Sequence, residues 1–131
     1  MTERADAPRT VVVLADDLIW ATRLADAVTA AGARPQRVRR PDDLVTALAR
    51  VGVPAPAARL AVIDLTARAY DGVEAIRAAT AAGGRVVAVG QHDDAVLRKA
   101  ALAAGAERVF TYRALFEDGP RLLSAWLGDG R

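Results

Sequence analysis

The chain of 131 residues lacks cysteine and has one lysine, Lys99, one serine, Ser124, and one histidine, His92. Without cysteine it can form neither a disulfide nor a thiolate metal site, which agrees with a reducing cytoplasm. No serine or cysteine nucleophile lies near His92 in the sequence. The chain also lacks Gly-x-Gly-x-x-Gly after its first predicted strand and a phosphate loop ending in Gly-Lys-Ser/Thr. These absences disfavour a small enzyme or a nucleotide-binding protein, and we expect no catalytic residue.

Long apolar runs are also missing. No run reaches the roughly 18 residues that a membrane-spanning helix needs, and residues 1–9 carry four charges where a leader peptide would be apolar. The pI of 9.7 reflects arginine in place of lysine, because the net charge is only +2. The densest basic group, Arg34 to Arg40, falls on a predicted edge strand and not on a broad stripe. The sequence therefore predicts a cytoplasmic protein with no membrane and no nucleic-acid partner.

Short β-branched runs alternate with alanine-rich stretches that have helical periodicity. The first run, Thr10–Ala15, is apolar on both faces, which is typical of a central parallel strand. The other predicted strands are Arg34–Val38, Arg59–Asp64, Arg85–Val89 and Glu107–Thr111. The first predicted helix follows Asp16 or Asp17, the second begins at Pro41, and the third spans Gly72 to Ala82. The fourth follows Asp93 or Asp94, and the last spans Ala114–Leu127. This alternation predicts a doubly wound α/β sandwich, flavodoxin-like, with a five-stranded parallel sheet in order 2-1-3-4-5. We expect one domain over residues 10–127, a flexible tail over residues 1–9 and a second tail over residues 128–131.

Carboxylates follow two strands that this order makes neighbours. Asp16 and Asp17 come directly after the first strand, and Asp64 ends the third. Sites in open parallel sheets lie outside the carboxyl ends of the strands where the strand order reverses, so we expect these three side chains to converge. Converging like charges favour a hard divalent cation with oxygen ligands, above all Mg²⁺. The alternative is that Asp16 and Asp17 only cap the helix that follows them.

The order and spacing of these acids resemble the CheY-like receiver domains of bacterial response regulators. The segment from Asp64 to Glu74 matches the spacing from the phospho-accepting aspartate of receivers to their Asp-Gly-x-Glu. Gly105-Ala106-Glu107 is similar to the Gly-Ala-acid that receivers carry before their fifth strand. The resemblance covers about residues 10–127. It implies two-component signalling, with Asp64 as phosphoryl acceptor, Asp16, Asp17 and Asp64 around Mg²⁺, and a kinase or an output protein as partner.

The sequence departs from the receiver pattern at both residues that read phosphorylation. The serine or threonine after strand four corresponds to Gly90, and the lysine after strand five corresponds to Tyr112, followed by Arg113. The proline expected after the acceptor aspartate corresponds to Arg68. This combination resembles a pseudo-receiver, so we expect a stand-alone signalling module that acts by protein–protein contact. The alternative is a working phospho-acceptor at Asp64, with Arg113 in place of lysine.

Three further residues are candidates near the site or at an interface. His92 follows strand four on the same rim, where it is either a ligand or switch residue or an ordinary loop histidine. Tyr112 and Phe116 fall on the surface of strand five and the last helix, which receivers use for dimers and output contacts. The sequence therefore predicts a protein interface there, for a homodimer or another partner. Trp20, within a turn of the acidic pair, is predicted to pack in the core.

Overall fold

In the computed structural model, five parallel strands alternate with five helices; the structure describes residues 9–51 and 59–129. The strands are β1 (Thr10–Leu14), β2 (Arg34–Val38), β3 (Arg59–Asp64), β4 (Gly84–Gly90) and β5 (Arg108–Thr111). The helices are α1 (Leu18–Ala30), α2 (Pro41–Arg50), α3 (Gly72–Ala81), α4 (Ala95–Ala104) and α5 (Tyr112–Asp129). The sheet order is β2-β1-β3-β4-β5, and every neighbouring pair is parallel. The predicted fold class and strand order are confirmed; of the predicted tails, residues 1–8 and 130–131 lie outside the described residues.

Helices cover both faces of the sheet because the central strands are apolar on both sides. Val11 and Val13 of β1 pack into one core with α1 and α5. Val12 and Leu14 of the same strand pack into a second core with α2, α3 and α4. This two-sided burial is what a parallel sheet between two helical layers requires. It leaves the carboxyl ends of the strands as the open edge where loops form a site.

Aspartate side chains begin three of the helices at that edge. The Asp17 carboxylate accepts the Trp20 amide at 2.9 Å to start α1. Asp71 does the same for α3, and Asp94 accepts the Leu97 amide at 2.9 Å to start α4. Each carboxylate accepts a hydrogen bond from a backbone amide that the helix leaves unpaired. Its negative charge also interacts favourably with the positive end of the helix dipole. Of the alternatives that the sequence left open, the capping residues are Asp17 and Asp94.

The last helix begins earlier and ends later than the predicted Ala114–Leu127. It starts at Tyr112, directly after β5, and continues to Asp129. The Thr111 hydroxyl accepts the Ala114 amide at 3.0 Å, which allows the helix to begin immediately after the strand. The predicted interruption at Gly119-Pro120 is present as a kink: Asp118 is non-helical, with φ −146° and ψ 26°, and proline has no amide hydrogen to continue the helix. The early start places Tyr112 at the carboxyl edge of the sheet.

Among the described helices, none is both long and apolar enough to cross a membrane.

Candidate functional site

An open cleft of about 610 Å³ lies at the carboxyl edge of the sheet. It is bordered by the loops after β1, β3 and β4 and by the first residue of α5. Its lining residues are Asp16, Asp17, Trp20, Asp64, Thr66, Arg68, Gln91 and Tyr112. The structure thus brings the three predicted carboxylates to one cleft, together with Tyr112 and Trp20.

Asp64 is the acid at the base of this cleft, and only 2% of its surface is exposed. Its Oδ1 accepts three hydrogen bonds: one from the Thr66 amide at 3.1 Å, one from the Thr66 hydroxyl at 3.3 Å, and one from the Tyr112 hydroxyl. Burial raises the pKa of Asp64 because it disfavours the charged form, while the bonds from Tyr112 and Thr66 act in the opposite direction. One oxygen of the candidate acceptor is therefore fully engaged within the protein.

Tyr112 reaches Asp64 from the start of α5. Its ring lies against Trp20, with ring centroids 4.4 Å apart and planes inclined by 45°. Its hydroxyl also meets that of Thr66. Burial, together with the hydrogen bond to Asp64, raises the pKa of Tyr112, so the hydroxyl keeps its proton at neutral pH and acts as a donor. A neutral hydroxyl thus occupies the position where the resemblance leads one to expect a lysine ammonium.

The acidic pair is held by backbone amides on two sides of the cleft. The Oδ1 of Asp17 caps α1, as described above, and the Oδ2 of Asp16 accepts the Ala69 amide at 3.0 Å. Carboxylate oxygens are ligands that Mg²⁺ prefers. Nevertheless, the described residues contain no group of three or more His, Asp or Glu side chains placed to hold a metal ion. No set of three ligating side chains is therefore preformed among the described residues, and the site at Asp16, Asp17 and Asp64 stays a prediction.

Tyr70 is a further residue of the site that sequence reasoning missed. Its hydroxyl lies 2.8 Å from the backbone carbonyl oxygen of Asp64 and 3.1 Å from that of Leu14, within donating distance of both. Burial is the main cause that raises the pKa of Tyr70, and the carboxylates of Asp64 and Asp16 add to it. The hydroxyl thus fastens the ends of β1 and β3 together below the cleft. No motif marks this residue, because its partners are carbonyl groups that only the fold brings near.

Of the predicted switch positions, Gly90 is buried at the end of β4, whereas Arg113 lies outside the cleft. Gly90 ends β4 and is buried, and a Cβ there would lie 3.2 Å from Cδ1 of Leu65. Arg113 does not line the cleft; it is exposed, and its Nε donates to Glu117 at 3.1 Å. His92 is exposed on the turn after β4 and also lies outside the lining.

Two other side chains occupy the rim instead. Arg68 is the one arginine in the described lining of the cleft, and Gln91 lines it directly after β4. Sequence comparison had marked Arg68 only as the residue standing where receivers have proline. Its place in the lining follows from the loop after β3, whose course cannot be read from spacing alone.

A row of stacked side chains leads from the cleft to the protein surface. Trp20 is partly buried and packs against the core on the α1 and α5 side of the sheet, so the prediction that it packs in the core is met in part. The Arg23 guanidinium lies 5.4 Å from the Trp20 ring centroid and 4.6 Å from that of Phe116. Phe116 is 65% exposed. The predicted interface residues Tyr112 and Phe116 therefore lie at the two ends of one row, with cation–π contacts in its outer half.

Comparison with solved structures gives the chain a known architecture. A receiver domain of a sensor histidine kinase from Pseudomonas aeruginosa PAO1, with magnesium coordinated in its active site cleft, is 20% identical, with a TM-score of 0.74 over 93% of this chain and 99% of that one. A CheY-like receiver domain protein from Methanospirillum hungatei JF-1 is 12% identical, with a TM-score of 0.75 over 95% of this chain and 97% of that one. A response regulator from Thermotoga maritima is 16% identical, with a TM-score of 0.70 over 95% and 98%.

No family model and no curated protein matches the sequence. The structural matches cover almost the whole of both chains, and at 12–20% identity they establish the architecture. The chain has the fold of CheY-like receiver domains.

Proposed function

We propose that this chain is a receiver-like signalling domain that acts by protein–protein contact, and in which Tyr112 holds Asp64 in place of a phosphorylation switch. The observation that carries the proposal is the hydrogen bond from the Tyr112 hydroxyl to Oδ1 of Asp64. The same oxygen also receives both donors of Thr66. These bonds make Oδ1 a poor nucleophile, because its lone pairs are already stabilised, and they do not involve Oδ2.

The charges around Asp64 support the same proposal. Phosphoryl transfer needs positive charge around the transferred oxygens more than it needs covalent chemistry. At the position of the receiver lysine this chain has the neutral hydroxyl of Tyr112, and Arg113 is paired with Glu117 outside the cleft. Gly90 offers no hydroxyl to meet a phosphoryl group.

One observation favours a second candidate function, a phospho-accepting response regulator that uses Asp64. Arg68 lines the same cleft as Asp64 and carries a positive charge. A guanidinium can bind phosphate oxygens in a bidentate manner, although with a different geometry from a lysine ammonium. In this alternative Arg68, and not Arg113, takes the part of the missing lysine.

For the contact surface we propose the exposed end of the stacked row, Phe116 with Arg23. Phe116 exposes 65% of its surface although it is a large apolar residue. Aromatic and arginine side chains are enriched in protein interfaces, where they bring large contact areas with few lost rotamers. Because Arg23 also contacts Trp20, which contacts Tyr112, a partner bound at Phe116 would be linked to the cleft by direct contacts. The partner is a protein, either another chain or a second copy of this one.

Intact-mass spectrometry after incubation with acetyl phosphate and Mg²⁺ tests the absence of phosphorylation. We expect no adduct on the wild type under conditions that label a control receiver, and none on Asp64→Ala. The informative variant is Tyr112→Lys, which frees Asp64 of the hydroxyl and adds an ammonium group; labelling of this variant alone would identify Tyr112 as the block. An adduct of one phosphoryl group on the wild type, absent from Asp64→Ala, would replace the proposal with the phospho-acceptor.

A further inference from the structure

A second groove, which we call the basic groove, lies on the other side of α1 from the stacked row. It has a volume of about 310 Å³ and lies between the first turn of α1 and the carboxyl end of β2. Its lining residues are Ala15, Asp16, Leu18, Ala21, Arg37, Val38 and Arg39. The floor is apolar, and Leu18 on its wall exposes 74% of its surface. An exposed leucine beside an apolar concavity favours contact with another apolar group.

The rim of the basic groove carries the positive charges of two arginines. Arg37 and Arg39 line the groove, and Arg40 follows them. In the part of the chain that the structure describes, none of the three forms an ion pair; the one hydrogen bond of Arg37 goes to the Thr22 hydroxyl at 3.4 Å. Neighbouring unpaired guanidinium groups create a positive potential that attracts carboxylates.

The acid in the lining offsets only part of this charge, because two arginines face one aspartate. Asp16 borders both the groove and the acidic cleft, but its Oδ2 accepts the Ala69 amide from the loop after β3. That loop lies on the other side of β1 from β2, since the sheet order is β2-β1-β3. The groove thus combines an apolar floor with a net positive rim, which is complementary to an acidic and apolar ligand.

We propose that the basic groove binds a short acidic and apolar segment of a partner protein. An apolar side chain of the segment packs on Ala21 and Val38 beside Leu18, and a neighbouring carboxylate binds Arg37 and Arg39. Arginine forms paired hydrogen bonds with carboxylates, which fixes the orientation of the segment as well as attracting it. This inference deepens the proposed contact function by naming a class of partner. That the partner is a protein rests on the proposed function.

The lining distinguishes a peptide from a nucleic acid. Single-stranded nucleic acids are held by basic grooves whose aromatic side chains stack on the bases. The described residues that line the basic groove are aliphatic residues, two arginines and Asp16, and none of them is aromatic. Aliphatic floors of this kind take leucine, isoleucine or valine side chains, so the observations favour the peptide.

The test is selection of short random peptides on the immobilised full chain, followed by fluorescence anisotropy of the selected peptides. We expect them to combine Asp or Glu with Leu, Ile or Val. Reversing the rim charge with Arg37→Glu and Arg39→Glu should weaken binding by about tenfold or more, because each paired hydrogen bond and the attraction are lost. Leu18→Ser should weaken it severalfold, and the matched charge reversal Lys99→Glu on α4 should leave it unchanged. Circular dichroism and thermal melting would verify that each variant is folded.

Three outcomes would overturn the inference: no enrichment of acidic and apolar peptides, binding that survives both charge reversals, or tighter binding of an oligothymidine probe that depends on Arg37 and Arg39. The last would assign the groove to nucleic acid. A different result, phosphorylation of Asp64, would contradict the proposed function. That result would leave peptide binding at the groove unaffected. Loss of the groove in turn leaves the contact at Phe116 in place.

Discussion

Replacing Tyr112 by phenylalanine removes one hydroxyl and leaves the ring against Trp20, 4.4 Å away. The variant loses the bond to Asp64 and the contact with the Thr66 hydroxyl. A hydrogen bond to a charged group contributes about 1.5–3 kcal/mol, against about 1 kcal/mol for a neutral pair. With Asp64 ionised, we therefore expect Tyr112→Phe to lower the free energy of unfolding by about 2 kcal/mol. For a domain of this size that corresponds to a melting temperature lower by roughly 6–10 °C.

The assay is urea denaturation of wild type and Tyr112→Phe at several pH values, repeated in an Asp64→Asn background. The bond favours the ionised form of Asp64, so the difference in stability should be largest above the raised pKa of Asp64. It should fall to about 1 kcal/mol as pH decreases through that pKa, and to a similar value in Asp64→Asn. Equal stability of wild type and Tyr112→Phe at neutral pH, or a difference that Asp64→Asn leaves unchanged, would refute the reasoning.

Three further substitutions test the surroundings of the site. Asp64→Asn should raise the free energy of unfolding at neutral pH by roughly 1–3 kcal/mol: because burial raises the pKa of Asp64, wild type loses stability as pH rises through that pKa, whereas the amide does not, so the two denaturation curves should approach each other in acid. Glu107→Gln should lower stability by roughly 1 kcal/mol or less, since Glu107 is 40% exposed and solvent screens its pair with Arg85, 2.9 Å away. The pair with Arg85 lowers the pKa of Glu107, so this loss is present at neutral pH and disappears as pH falls through that pKa; a loss that persists in acid would contradict the pairing. Gly90→Ala should cost no more than about 1–2 kcal/mol in thermal denaturation, because its Cβ would meet a movable Leu65 methyl group at 3.2 Å; a variant that does not fold would contradict this.

The fold could be predicted from the sequence because its signals are local. The run at residues 60–63 is apolar throughout, and Asp71 before Gly72 has the composition of a helix start. These signals set the strand and helix bounds to within a few residues. The start of α5 was predicted two residues late, because its cap, the Thr111 hydroxyl, belongs to the preceding strand. Such a cap leaves no separate loop residue for the sequence to mark.

The site could be predicted in its acids but not in its aromatic residues. The carboxylates at 16, 17 and 64 follow strands, so topology alone brings them to one edge. The bond between Tyr112 and Asp64 joins residues 48 positions apart and depends on the direction of a side chain in the first turn of α5. The carbonyl contacts of Tyr70 and the position of Arg68 depend in the same way on the course of the loop after β3. Spacing in a single sequence carries no signal for contacts of this kind.

The most direct test of the hold of Tyr112 on Asp64 is an NMR titration of the Asp64 carboxyl carbon with MgCl₂. In wild type we expect the chemical shift to stay constant through millimolar magnesium, with the hydroxyl proton of Tyr112 protected from exchange with water. This result would support the account in which the Tyr112 hydroxyl stays hydrogen-bonded to Asp64 and magnesium does not bind there. A saturable shift of the Asp64 carbon, accompanied by loss of the protected Tyr112 proton, would mean that magnesium displaces the hydroxyl and would contradict the account.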